Sequence, residues 1–125
     1  MKVKNVRRTD VVIGGWLPGE GRRSGQFGAL VVGYHEDGAL KYAGRVGTGF
    51  DEAELNRLGS LFADLAQPDS PFDGRQPPRE AKFVRPVLVA SVGYGEWTQA
   101  KTLRHPRYLG LRDDLDPETV EFDDT

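Results

Sequence analysis

The apolar positions of the chain fall mostly into short β-branched or alternating runs, each closed by glycine, proline or aspartate. That pattern predicts strands. Asp10 to Leu17 (DVVIGGWL) is the first run, stopped by Pro18-Gly19, and a glycine-rich loop continues to Gly25 (PGEGRRSG). Gln26 to Tyr34 (QFGALVVGY) is the second, and the Asp37-Gly38 pair after it is a strong hairpin signal. Ala39 to Val46 is then the partner strand. Alternation puts Leu40, Tyr42 and Gly44 on one of its faces and Lys41, Ala43 and Arg45 on the other, so one face is expected to be wet and basic. The period changes once. Between Asp51 and Ala66, Leu55, Leu58, Phe62 and Leu65 recur at helical spacing, and Asp51 with Glu54 has capping-box spacing, so a helix is predicted over about 51–66.

Gln67 to Arg79 holds four prolines and reads as an irregular connection. Ala81 to Thr98 returns to a long β pattern, with bends expected at Pro86, Gly93 and Gly95. At the end, Asp116 as N-cap and Pro117 in the first helical position predict one short C-terminal helical turn. The sum is an all-β domain. About five strands, with one helix between the third and the later ones, fit a five-stranded Greek-key barrel of the OB-fold type, the helix lying on the sheet or plugging an end. An SH3-like barrel is the next choice. The expected organisation is an arm over 1–9, the barrel over 10–116 and an acidic tail over 117–125.

Composition narrows the chemistry. The chain of 125 residues is 38% apolar and 29% charged, which suits one soluble domain with a modest core. It has no cysteine, which excludes disulfides, thiol nucleophiles and cysteine-held zinc. His35 and His105 are far apart, so no metal site is expected. No apolar run approaches the roughly 20 residues of a membrane span, and the N-terminus lacks a signal-peptide core. We therefore expect no membrane partner, a reducing cytoplasmic setting and a monomer. The net charge of −2 hides an asymmetry: residues 113–125 hold seven acids and no base, leaving +5 on residues 1–112. Setting aside the acid-rich stretch Asp51 to Asp73 raises the balance to +10, concentrated in the predicted strands. A polyanion partner stays open.

Candidate chemistry is sparse. Gly14, Gly15, Gly19, Gly21 and Gly25 lack the terminal Gly-Lys-Ser/Thr and the following helix of a phosphate loop, so turns explain them better. His35, Glu36 and Asp37 sit at a hairpin tip, where turn chemistry accounts for them. On an extended arm Lys2 and Lys4 share a face; two ammonium groups side by side suit a phosphate, and a solvated terminus is the equal alternative. Leu103 to Leu111 (LRHPRYLGL), followed by Arg112-Asp113-Asp114, is denser. Arg104, Arg107 and Arg112 offer guanidiniums for phosphate oxygens, with Tyr108 and Leu109 as an apolar anchor, while an ordinary surface ion-pair cluster explains Arg112 as well.

These residues, taken in order, resemble the C-terminal OB-fold domain of bacterial ATP-dependent DNA ligases, including the ligase modules of end-joining repair. Lys2-Val3-Lys4, then Thr9 to Trp16, is similar to nucleotidyltransferase motif V running into the first barrel strand. Gly28 to Gly33 and Tyr42 to Phe50 resemble the family's hairpin, and Phe83 to Pro86 with Glu96 to Thr98 resemble its next strands. Leu103 to Tyr108 with Leu111 to Asp114 resembles motif VI. The resemblance covers nearly the whole chain. Met1 lies directly before motif V, so we expect a piece excised from a longer enzyme.

The resemblance implies nick sealing in duplex DNA, during replication or repair, through an enzyme adenylate, a DNA adenylate and phosphodiester formation. ATP and Mg2+ would serve the full-length enzyme, with none bound to this domain alone. By carry-over, Lys2 and Lys4 contact the nucleotide α-phosphate, and Arg104, Arg112 and Asp114 orient the pyrophosphate when the domain closes on its nucleotidyltransferase partner. The domain then swings onto nicked duplex DNA, and end-joining proteins are further partners. Arg7, Arg8, Arg22, Arg23 and Lys41 are the first group of expected DNA contacts. Arg45, Lys82, Arg85 and Arg107 complete the set. Two departures stand out: Leu115 replaces the usual motif VI lysine, and the nucleophilic lysine of Lys-x-Asp-Gly is absent, His35-Glu36-Asp37-Gly38 having histidine there. No catalytic residue is therefore expected in this chain, which should be inactive alone. The alternatives are a stand-alone OB module for single-stranded nucleic acid, stacking bases on Tyr34, Tyr42, Tyr94 and Trp97, or the OB domain of an RNA ligase or capping enzyme.

Overall fold

The computed structural model describes residues 7–18, 27–74, 76–77, 79–99 and 101–121. Five long strands carry the fold: β1 (Arg7–Pro18), β2 (Phe27–Glu36), β3 (Ala39–Val46), β5 (Lys82–Tyr94) and β8 (Arg107–Arg112). Between them come α1 (Glu52–Leu65) and three two-residue strands, β4 (Ala66–Gln67), β6 (Glu96–Trp97) and β7 (Leu103–Arg104). Every strand ladder is antiparallel; the order β3-β2-β1-β5-β4, with β8 also on β5, brings β5 back beside β1 in Greek-key fashion. The Tyr108 amide donates to the Thr48 carbonyl at 2.9 Å, so the end of β3 meets β8 and the sheet curls toward closure. This is the expected OB-type barrel.

The continuous apolar run of β1 has a physical reason: both faces of the strand are covered. Val11 and Ile13 point into the main core with Leu30, Val32, Ala90 and Val92, under Leu55, Leu58 and Phe62 of α1. Val12 points the other way, into a second cluster with Val31, Leu40, Val89, Phe72 and Val120. The irregular connection supplies Phe72 and the C-terminal segment supplies Val120. Gly14 and Gly33 make room for the Phe72 ring; a Cβ built on Gly14 would lie 2.5 Å from it. Tyr42 meets the same ring edge-on at 5.8 Å.

Local signals hold at several places. Asp51 caps α1, its Oδ1 accepting from the Glu54 amide at 2.8 Å. Asp37 and Gly38 both have positive φ at the hairpin tip, as the turn requires. Asp116 caps a single 3-10 turn at Pro117–Thr119, and the Val120 carbonyl accepts from the His35 amide at 2.7 Å. The pairing of β1 with β5 skips from Ile13–Leu88 to Gly15–Phe83, so β5 bulges through Pro86, which has no ladder donor to lose.

Three expectations change. Arg7 to Thr9 belong to β1 and not to an arm, because they pair with Val92 to Tyr94 of β5. The basic face of β3 does not form. A bulge at Ala43, between the Gly33–Tyr42 and Val32–Gly44 pairs, drives Ala43 into the core and sets Lys41 beside Tyr34 but Arg45 beside Val31, on opposite sides of the sheet. Nor are the aromatics a stacking platform. Tyr34 and Tyr94 are buried, and Trp97 packs between them with ring centroids at 6.0 and 5.5 Å.

Candidate nucleotide and nucleic-acid interface

Residues directly opposed across a sheet share a face. Three rows therefore cross the outer side of β1, β5 and β8: Arg8–Gly93–Arg107, Asp10–Ser91–Gly110 and Val12–Val89–Arg112. Leu109 is the extra residue of a bulge between the first two rows and is half exposed. Arg8 and Arg107 stand on either side of Gly93, which places no side chain between them. Neither makes an ion pair among the described residues.

Arg112 is held from two directions. Its Nε and Nη2 donate to the two carboxylate oxygens of Asp114 at 3.0 and 2.9 Å, a bidentate pair. Its Nη1 donates to Asp10 Oδ1 at 3.4 Å, which means the side chain reaches across β5 to β1. The guanidinium holds the Asp114 carboxyl below the usual carboxylate range, chiefly through that hydrogen bond. Of the two readings of Arg112 that the sequence leaves open, the surface ion-pair cluster is present, and 35% of the side chain stays exposed beside it.

The other expected cofactor residues lie elsewhere. Arg104 is on the β6–β7 hairpin, opposite Glu96 and paired with it at 3.1 Å, and no hydrogen bond or ion pair joins it to Arg112. Lys2 and Lys4 lie outside the described residues, as do Arg22 and Arg23. Lys41 is engaged with Asp73 at 3.0 Å, which raises its pKa. Lys82 and Arg85 are exposed at the far end of β5 from Gly93. Lys82 edges a groove of about 930 Å³ between α1 and the sheet, lined by Trp16, Phe62, Phe83 and Arg79 among others. Among the described residues the cations are spread over several surfaces, and Arg8, Arg107 and Arg112 share the outer face of β1, β5 and β8.

Tyr108 is not a surface anchor. It is buried, stacks on Phe50 at 4.7 Å and donates its hydroxyl to Glu54 at 2.5 Å. Burial first, and then that hydrogen bond, push its pKa well above 10. Asp10 and Glu54 were missed as partners of the motif arginine and tyrosine. The signal at Asp10 is an acid opening an apolar strand in the outward phase; at Glu54 only the capping spacing is visible, and nothing local points to Tyr108. Among the described residues no group of three or more His, Asp and Glu side chains could hold a metal ion, and no helix is long and apolar enough to cross a membrane.

Comparison with known proteins gives this geometry a family. The profile of the ATP dependent DNA ligase C terminal region matches residues 23–115. This chain belongs to that family. The chain is 46% identical over 123 residues to the multifunctional non-homologous end joining DNA repair protein LigD of Mycobacterium tuberculosis, covering 96% of this chain and 16% of that protein. LigD of Pseudomonas aeruginosa is 34% identical over 91% of the chain and 14% of its own length. The crystal structure of the M. tuberculosis LigD ligase domain superposes with a TM-score of 0.88 at 43% identity, over 96% of this chain and 40% of that one. A mycobacterial DNA ligase D complexed with ATP and MES gives 0.82 at 40% identity, over 96% and 39%. The chain therefore spans about one-sixth of the mycobacterial relatives' full length. Leu115, in the position of the usual lysine, is half-buried against the second cluster, so this chain uses that position for packing.

Proposed function

We propose that this domain works joined to a nucleotidyltransferase domain, in an ATP-dependent ligase that seals nicks in duplex DNA during end joining in the bacterial nucleoid. What carries the reading is the similarity over 96% of the chain to an end-joining LigD, together with the exposed Arg112–Asp114 pair on the outer face. In the joined enzyme, ATP with Mg2+ supplies the adenylyl group. Lys2 and Lys4 would hold the α-phosphate, and Arg112, oriented by Asp114, would hold the pyrophosphate as the domain closes. The two side chains suit that task. Asp114 fixes the plane of Arg112 by taking its Nε and Nη2 edge, and the guanidinium keeps two further N–H donors for phosphate oxygens. Arg104, tied to Glu96 on a separate hairpin, would have to leave that partner to join them.

Arg8 and Arg107 are the best-placed DNA contacts, since one phosphate can sit between guanidiniums that flank a glycine. Backbone contacts of this kind position the protein without reading sequence. The alternative of a single-strand module has lost its stacking residues to the core.

The test uses the 125-residue chain, titrated with a nicked duplex, an intact duplex and a single strand at two salt concentrations. Duplex preference with a steep salt slope is the expected result, because phosphate contacts release counterions. Arg8→Ala and Arg107→Ala should each reduce the slope by about one unit. Tight binding to the single strand alone overturns the reading. Absence of duplex binding even at low salt removes the DNA surface from this domain.

A further inference from the structure

Arg112 sits on β8 and Asp10 on β1, 102 positions apart in sequence, with β5 between their strands. An arginine does not need that reach to find a carboxylate, because Asp114 already binds it bidentately two residues away. The long contact does something the short one cannot. Asp114 lies two residues past the end of β8, whereas Asp10 lies within β1, paired with Ser91 of β5 and two residues before the ladder with β2 begins at Val12. The path between them is clear: Gly110, in the row of Asp10, has φ +145, and a Cβ there would meet nothing within 4 Å. A guanidinium has five N–H donors. Three are used by Asp114 and Asp10, which leaves two for a ligand on a side chain that is 35% exposed.

We propose that Asp10 is a positioning residue for the adenylation step: it locks the Arg112 guanidinium to the rigid barrel so that its two remaining N–H groups face an incoming phosphate. The inference rests on the reading of Arg112 as a pyrophosphate contact.

Two measurements test it. In the 125-residue chain, the Nε–H signal of Arg112 is followed by NMR relaxation. Asp10→Asn should leave the melting temperature close to wild type yet make that group mobile, and Asp10→Glu should restore order in part. An Arg112 that stays equally ordered in Asp10→Asn overturns the inference whatever the enzymology shows. The second measurement uses this chain in place of the C-terminal domain of the M. tuberculosis LigD ligase domain. Enzyme-adenylate formation is compared with sealing of a pre-adenylated nick. Asp10→Asn should slow the first about tenfold more than the second, the effect of loosening one charge-assisted hydrogen bond at the reacting phosphates. Arg112→Ala separates the two ideas. If it spares adenylation, the pyrophosphate reading fails; if it abolishes adenylation while Asp10→Asn slows both steps equally or neither, only the positioning role fails.

Discussion

Tyr108 shows how one side chain can serve the fold inside a segment that looks functional. Its ring fills the space against Phe50, and its hydroxyl is matched by Glu54, which the Asp51 cap holds in the first turn of α1. The partnership ties the helix to β8 and should be visible in the pH dependence of stability. The pKa of Tyr108 is raised above 10 in the folded chain, so below pH 10 both states carry the proton and the contribution is complete. Above pH 10 the unfolded chain releases that proton while the folded chain keeps it, and stability falls as pH rises. Tyr34, also raised by burial, adds a smaller effect of the same sign. Tyr108→Phe should lose about 2 kcal/mol at neutral pH, the usual size for a hydrogen bond to a charged acceptor. It should also flatten the decline that sets in as pH rises above about 10. Denaturant titrations at those pH values measure both; an unchanged slope would mean that Tyr108 ionises as easily folded as unfolded.

Whole elements were legible wherever the chain writes its own boundary. The helix was readable from Asp51, Glu54 and four periodic apolar residues, and the hairpin from Asp37-Gly38, because caps and tight turns depend on neighbours in sequence. The bulge at Ala43 was not readable. Alternation alone makes Ala43 the partner of Lys41 and Arg45, and only pairing with β2 decides that an extra residue turns inward. The packing of Phe72 was equally hidden, since it depends on Gly14 and Gly33 from two strands distant in sequence. The latter gives a sharp expectation. Gly14→Ala would put a methyl group 2.5 Å from the Phe72 ring and displace it, at a cost of about 2 kcal/mol. Phe72→Ala would open the second cluster and cost about 3 kcal/mol. The double variant should lose less than the sum, because the clash vanishes with the ring. Equilibrium unfolding of the three proteins gives the coupling, and strict additivity would show that Gly14 is small for another reason.

At the scale of the molecule, the acidic end acts as a structural strap through Val120, and the effect of its charges can be measured apart from that packing. Val120 is buried in the second cluster and its carbonyl is bonded to His35, so the segment is part of the fold. Removing everything after Asp116 should therefore lower the melting temperature by about 5–10 °C. The charges are a different matter. Glu118 and Glu121 are exposed, so their carboxylates can be exchanged for amides without disturbing Val120, and Asp123 and Asp124 lie outside the described residues. Val120 packs with Val12 and Val89, the row that Arg112 ends on the outer face it shares with Arg8 and Arg107. A variant with Glu118→Gln, Glu121→Gln, Asp123→Asn and Asp124→Asn removes four negative charges from a chain whose net is −2. It should melt close to wild type and bind duplex DNA about three- to tenfold more tightly at low salt. The gain should shrink as the Debye length falls below the spacing of these groups, at about 0.3 M salt and above. Fluorescence titrations at both salt concentrations measure it. A gain that persists at high salt would mean that the amides make new contacts of their own, and no gain at low salt would place the DNA surface on the side of the barrel away from Arg8, Arg107 and the strap.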